Sequence, residues 1–249
     1  MSLLQALAIF GAGVGAGAIN VAVGSGTLIT FPVLLAFGYP PVVANVSNTI
    51  GLVPGSASGA IGYRRELSGQ GRRIRMLASA TAAGAATGAT LLLTLPAAAF
   101  KSIVPVFIAA ALVLILVQPR LAAWLREHRS HAHERIGPAT LAAVFVTGVY
   151  GGYFGAAQGI MLLAILGVAL EESLQRINAA KNILAGLANL LSGAIFAIVA
   201  HVSWPAAGLI ALGSILGGTL SARYGRRLPP GPLRALIVAV GIVAIVRLL

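Results

Sequence analysis

Amide, hydroxyl and amine side chains recur at helical spacing in two otherwise apolar stretches of the sequence: Asn45, Asn48, Thr49, Asn178, Lys181 and Asn182. Residues three or four apart share one face of a helix, so each stretch predicts a polar stripe. Hydrogen bonds between membrane helices contribute only about 0.6 kcal/mol on average. Bonding between helices is therefore a weak reason for so many amides, and we interpret the stripes as a substrate path.

A break in the apolar pattern precedes each stripe and opens a short apolar segment. The breaks contribute five further candidate binding residues: Ser25, Gly26, Thr27, Gln158 and Gly159. The N-terminus of a helix presents unpaired N–H groups and the positive end of the helix dipole, which together favour anions. Close helix packing is the competing explanation, because small residues let membrane helices approach one another.

The charged residues favour an anionic substrate over a cation. All carboxylates fall in predicted loops or at predicted helix ends: Glu66, Glu127, Glu134, Glu171 and Glu172. Cation transporters and proton pumps usually place a carboxylate inside the membrane, and this sequence predicts none there. Lys181 would supply positive charge to an anion, and the alternative is that its amine extends to the cytoplasmic surface.

Other kinds of chemistry lack the residues they need. The sequence has no cysteine and no aspartate, and it predicts no buried histidine, so no nucleophile, base and orienting group come together for an enzyme. We therefore expect neither catalysis nor a cofactor. The histidines of the central loop, at 128, 131 and 133, are more typical of a solvated linker than of a metal site. Most of the 17 Lys and Arg residues lie in short loops rather than in a basic stripe, which excludes nucleic acid as a partner.

Composition and hydropathy predict an all-α integral membrane protein. Hydrophobic residues make up 58% of the chain and charged residues only 9%, far below the roughly 25% charged of soluble domains. Because backbone groups in lipid must be satisfied within the segment, the apolar segments are predicted as helices. There are ten: about 3–23, 26–37, 42–62, 76–95, 99–117, 138–154, 159–170, 178–199, 204–222 and 232–249. The segments 26–37 and 159–170 are too short for a comfortable crossing and are typical of broken or re-entrant helices.

An offset of 133 positions superimposes the two parts of the sequence. It aligns Gly26 with Gly159, Asn45 with Asn178 and Thr49 with Asn182, and it aligns the two short segments. We predict one transmembrane domain over 1–249, made of repeat 1 (about 3–117), a cytoplasmic linker (about 118–137) and repeat 2 (about 138–249). Each repeat is predicted to be a helical hairpin with a short broken helix, followed by three transmembrane helices.

Arginine-rich loops predict the orientation in the cell inner, or plasma, membrane. They are expected on the cytoplasmic side and include residues 64–75, 120–135 and 223–234. Both termini then lie outside, the two repeats are inverted, and the breaks and stripes are predicted to meet around one anion near the bilayer midplane.

The stretch GAGVGAGAINVAVGSGTLITFPVLLAFGYPPVVANVSNT and its echo GVYGGYFGAAQGIMLLAILGVALEESLQRINAAKN resemble the sulfite exporter TauE/SafE family of membrane permeases. The resemblance spans essentially the whole chain. It implies export of a small anion such as sulfite, an organosulfonate or a small carboxylate. A non-transporting membrane scaffold and a permease for a different small solute are the alternatives, and homo-oligomerisation stays open.

Overall fold

The computed structural model describes residues 1–127 and 136–224, together with Val238, Ala239, Ile242 and Ile245. The described part is helical. Its elements are α1 (Leu3–Ala22), α2 (Thr27–Ala36), α3 (Pro41–Gly62), α4 (Gly71–Thr94), α5 (Ala97–Glu127), α6 (Pro138–Tyr153), α7 (Gln158–Ala169), α8 (Leu174–Val199) and α9 (Trp204–Tyr224). Most of the predicted segment 232–249, most of the third arginine-rich loop and the linker histidines lie outside the described residues.

Five of the described helices are long and apolar enough to cross a membrane: α1, α4, α5 over Ala97–Arg120, α8 and α9. Two helices, α2 and α7, are apolar but shorter, as the sequence predicts. The helix α3 has 22 residues, enough for a crossing, but the polar residues on one of its faces lower its hydropathy. The prediction of a multi-pass, all-helical membrane protein is confirmed in these features.

Three predicted helix boundaries were wrong. The helix α4 begins at Gly71 rather than 76. The helix α8 begins at Leu174 rather than 178, because the Ser173 hydroxyl accepts a hydrogen bond from the Arg176 N–H and caps this helix. The helix α5 continues past the predicted end at 117 to Glu127, with Pro119 inside it. Membrane helices tolerate proline, so Pro119 does not end α5 where the linker was predicted to begin.

Helices from the two ends of the chain pack against one another, and so do helices from its middle. The helix α1 packs extensively on α9, and α4 packs extensively on α6, while α3 contacts both α9 and α8 and α8 also contacts α4. The hairpin α1–α2 turns back at residues 23–26, and the hairpin α6–α7 turns back at residues 154–157. This arrangement brings the two hairpin turns to the centre of the bundle.

An ion-pair cluster joins the α3–α4 turn region to the α7–α8 turn. Glu172 binds Arg73 at 2.8 Å and Arg176 at 2.6 Å, and the Arg176 guanidinium also donates to the Ser68 carbonyl at 3.1 Å. Burial of Glu172 opposes its charge, but the hydrogen bonds from Arg176 and Arg73 outweigh burial and lower the pKa of this carboxyl. The two turns therefore lie on the same side of the bundle.

Candidate functional site

The two hairpin turns touch through their backbones. The Gly159 N–H, at the start of α7, donates to the Gly24 carbonyl at 3.0 Å. A Cβ built on either glycine would lie 2.4 Å from the Cα of the other, and Gly24 has a φ of +92°, which favours glycine. The sequence suggested that the N–H groups at both breaks are free for an anion, but in this conformation the Gly159 N–H is already bonded.

The polar stripe of α3 binds both hairpins, the first through side-chain hydroxyls and the second through a backbone carbonyl. The Asn45 amide donates to the Tyr153 carbonyl, at the end of α6, at 2.9 Å. The Asn48 amide donates to the Thr27 hydroxyl at 3.1 Å and accepts a hydrogen bond from the Thr30 hydroxyl. These predicted residues are brought together, and their amide N–H groups stabilise the broken helices.

The polar stripe of α8 binds the end of α1. The Lys181 ammonium donates to the carbonyls of Asn20 and Val21 at 2.9 and 3.0 Å, and the Asn178 amide donates to the same Val21 carbonyl at 3.3 Å. The Lys181 side chain has 0% exposure and passes close to Gly159, which excludes extension of its amine to the surface. The last carbonyls of α1 carry the negative end of the helix dipole, so they stabilise the buried cation.

Several buried polar atoms near the two turns have no hydrogen-bond partner among the described residues. On the predicted binding residues, three of them can donate: the Ser25 hydroxyl and the side-chain nitrogens of Gln158 and Asn182. Two others can only accept: the side-chain oxygens of Asn45 and Asn178. Buried polar groups are nearly always hydrogen-bonded in native proteins, so unpartnered donors at the breaks and on the α8 stripe are chemistry suited to an anion.

The remaining predicted residues are also buried in this region. Gly26 packs on the backbone of Ala16 in α1, and the Thr49 hydroxyl donates to the Asn45 carbonyl of its own helix at 2.9 Å. All predicted binding residues thus lie in the core, at or next to the hairpin turns and the two stripes that hold them.

The main participants missing from the sequence prediction are backbone carbonyls. The carbonyls of Asn20, Val21 and Tyr153 bind the polar stripes, and a carbonyl leaves no mark on the sequence. Asn20 was the available signal: an amide in an apolar helix, a few residues before the break. Its side chain donates to the Ser56 hydroxyl at 3.2 Å.

Helical spans, two broken hairpins meeting at their turns and a buried polar centre are the features of a polytopic membrane transporter. Comparison with known proteins agrees. The chain belongs to the sulfite exporter TauE/SafE family, which matches residues 9–248. It is therefore a multi-pass membrane permease, with a small solute as substrate and the lipid bilayer as its surroundings.

Curated relatives are described as membrane transporters. The chain is 28% identical to a probable membrane transporter protein of Haemophilus influenzae over 215 residues, covering 86% of this chain and 83% of the relative. It is 27% identical to the probable membrane transporter protein ORF9 of a Sinorhizobium species, covering 94% and 88%, and 27% identical to YfcA of Escherichia coli K12, covering 94% and 86%. No solved structure matches the chain significantly.

Proposed function

We propose that this permease exports a small anion, such as sulfite, an organosulfonate or a small carboxylate, and binds it between the two helix breaks. The observation that carries the proposal is the ammonium of Lys181, fully buried beside the contact between Gly24 and Gly159. An intramembrane charge is expensive and usually functional. None of the glutamates whose side chains the structure describes belongs to the buried core, so the cation has no carboxylate partner there.

The direct ligands in this proposal are the groups with donors to spare. Ser25, Gln158 and Asn182 each hold an unpartnered donor, and the Lys181 ammonium has three N–H groups, of which two bind carbonyls. Asn45, Asn48 and Asn178 then have a second role, because their amide N–H groups already bind α6, α2 and α1 beside the hairpin turns. Thr27, Thr49 and the glycines shape the backbone around the anion.

Inverted repeats explain why donors come from both halves. At the offset of 133, Ser25 corresponds to Gln158, and both hold unpartnered atoms. The same offset relates the packing of α1 on α9 to that of α6 on α4. It also relates two crossed hydrogen bonds, in which Asn45 binds the end of α6 and Asn178 binds the end of α1, with acceptors that correspond to within one residue. A pseudo-two-fold axis in the membrane plane would produce all of these relations.

A ligand screen tests the function. Purified protein is heated with sulfite, sulfate, taurine, sulfoacetate, acetate or nitrate, and with choline as a cationic control. A ligand that prefers the folded state stabilises it by mass action, by about 2.7 kcal/mol at 100 times its Kd, and so raises the unfolding temperature. We expect at least one anion to stabilise the protein and choline to have no effect. Stabilisation by none of the anions would refute the proposal and leave a membrane scaffold as the better explanation.

Variants then locate the site. Gln158→Leu and Asn182→Leu each remove one hydrogen bond to a charged ligand, a loss of about 1.5–3 kcal/mol, or roughly ten- to a hundredfold in affinity. Thr81→Val is the matched control, because its buried hydroxyl is also unpartnered but lies on α4, outside the proposed ligand set. Wild-type affinity for the best anion in both leucine variants would show that the site is elsewhere.

A further inference from the structure

A basic cavity opens beside the ends of α3 and α9. Its volume is about 1060 Å³, and its charged lining consists of three guanidinium groups and one carboxylate: Arg64, Arg65, Arg223 and Glu66. We call this cavity the basic vestibule. A concave surface with excess positive charge raises the local concentration of anions and accelerates their arrival. The vestibule lies on the side predicted to be cytoplasmic, from which an exported anion would come.

A small apolar cluster lies next to the vestibule. It consists of Val21, Tyr63 and Ala179, each at most 4% exposed, with Leu67 and Ala222 packed against them. Ala222 also lines the vestibule, and Tyr63 immediately precedes Arg64 of the vestibule lining. The cluster brings together α1, the end of α3 and the first turns of α8, and it belongs to neither of the larger described cores.

Val21 joins this cluster to the proposed anion site. Its side chain packs against Gly59 of α3, and its carbonyl accepts hydrogen bonds from Lys181 and Asn178. The cluster therefore contacts both the vestibule lining, through Ala222, and the buried amine, through the Val21 carbonyl. A displacement of Val21 that opened this route would also release one carbonyl from the ammonium and leave its N–H free for an anion.

The equivalent region of the other half is packed much more heavily. At the offset of 133, Val21 corresponds to Phe154, which belongs to the large core and contacts the rings of Phe31, Phe100 and Phe107 at centroid distances of 5.2, 6.1 and 6.2 Å. Aromatic pairs of this kind are worth about 0.5–1.5 kcal/mol each beyond their buried area. In the described conformation, many contacts therefore close the region around Phe154, and few contacts close the region beside the vestibule.

We propose that Val21, Tyr63 and Ala179 form the inner gate of the permease and that the basic vestibule collects anions in front of it. This inference rests on the proposed function. It assigns the route by which a small anion reaches Lys181, and it identifies the described conformation as one closed at the inner gate by a single thin layer.

Cysteine labelling tests the gate, because the chain has no cysteine of its own. Ser58→Cys places a thiol in the vestibule lining, and Ser56→Cys places one behind the gate, where Ser56 is 3% exposed and bound to Asn20. Each single-cysteine protein is purified in detergent and treated with a sulfonate-bearing or a trimethylammonium-bearing methanethiosulfonate. The amount of labelled thiol is divided by the total thiol measured after denaturation. We expect Ser56→Cys to react at least about tenfold more slowly, equivalent to about 1.4 kcal/mol for opening.

Widening the gate should expose the deeper thiol. Val21→Ala or Tyr63→Ala, added to Ser56→Cys, should raise its labelling rate by about tenfold. Ile19→Ala is the matched control, because Ile19 is fully buried on the same helix but belongs to the large core. Equal rates for the two thiols, or equal effects of the gate and control variants, would refute the gate.

The vestibule predicts a charge preference in the same assay. At low salt the sulfonate reagent should label Ser58→Cys about tenfold faster than the cationic reagent does, and Arg64→Gln with Arg223→Gln should remove most of this difference. An equal rate for both reagents would refute the collecting role of the vestibule. Labelling requires no transported ligand, so these results are independent of whether the anion screen succeeds.

Discussion

Gly24→Ala should destabilise the protein by forcing the two hairpin turns apart. The new methyl group would lie 2.4 Å from the Gly159 Cα, a backbone atom that cannot rotate away. Overpacking of this kind costs about 1–3 kcal/mol. The φ of +92° adds about 1–2 kcal/mol for a residue with a Cβ. The expected loss is therefore about 2–5 kcal/mol.

The chain offers controls that separate the two contributions. Gly38 has a φ of +82° but open space around its Cβ position, so Gly38→Ala should lose only the backbone contribution of about 1–2 kcal/mol. Gly159 is in the close contact but has no positive φ, so Gly159→Ala should lose only the steric contribution of about 1–3 kcal/mol. Gly11 lies within α1 with open space around its Cβ position, so Gly11→Ala should raise the stability of the protein by up to about 1 kcal/mol.

Unfolding of the purified proteins in mixed micelles, followed by loss of helical circular dichroism with increasing SDS, measures these differences. The order of stability should be Gly11→Ala, then Gly38→Ala and Gly159→Ala, with Gly24→Ala lowest. A Gly24→Ala protein as stable as Gly38→Ala would show that the turns are not in contact in the folded protein, and the proposed anion site would lose its geometric basis.

Three further predictions concern other parts of the molecule. Asn45→Leu leaves the Tyr153 carbonyl without its partner and should cost about 1–3 kcal/mol in the same unfolding assay, whereas Thr49→Val removes only a bond within α3 and should cost less. Glu172→Gln should lower the unfolding midpoint at neutral pH. Because folding lowers the pKa of Glu172, the contribution of this carboxylate to stability is complete above the unfolded carboxyl pKa, about 4.3. That contribution is lost as the pH falls through the pKa of the folded protein. The unfolding midpoints of variant and wild type should therefore converge in acid. A persistent difference below the folded value would contradict this ion-pair explanation. Both termini are predicted to lie outside the cell, so reporters fused to either end should be accessible from outside; a cytoplasmic C-terminus would refute the inverted topology.

Hydropathy predicted the helices because the bilayer imposes a simple rule on length and composition. The predicted short segments 26–37 and 159–170 correspond to α2 (Thr27–Ala36) and α7 (Gln158–Ala169). The polar stripes were equally visible, since an amide in an apolar helix is conspicuous. The end of α5 and the beginning of α8 were predicted wrongly, because a tolerated proline and a polar first turn look like loop in a hydropathy profile.

The contacts that organise the site could not be predicted in the same way. Asn178 and Lys181 bind a carbonyl 157 and 160 positions away. Because every residue carries a backbone carbonyl, the sequence does not mark which one is bound. The sequence identified Lys181 as either a ligand or a surface group, and only its position in three dimensions distinguishes them. The gate residues Val21, Tyr63 and Ala179 are ordinary membrane residues whose significance comes from the vestibule beside them.

The crossed hydrogen bonds have a consequence for biogenesis. The Val21 carbonyl is synthesised 157 positions before Asn178, the residue that binds it. At a synthesis rate of about 5–20 residues per second, roughly 8–30 s pass between the synthesis of Val21 and that of Asn178. In lipid an unsatisfied carbonyl is costly, so the end of α1 requires water or the insertion machinery during this interval. Ribosome-bound chains that stop before α8 should therefore keep the first hairpin next to the translocon, and full-length chains should release it.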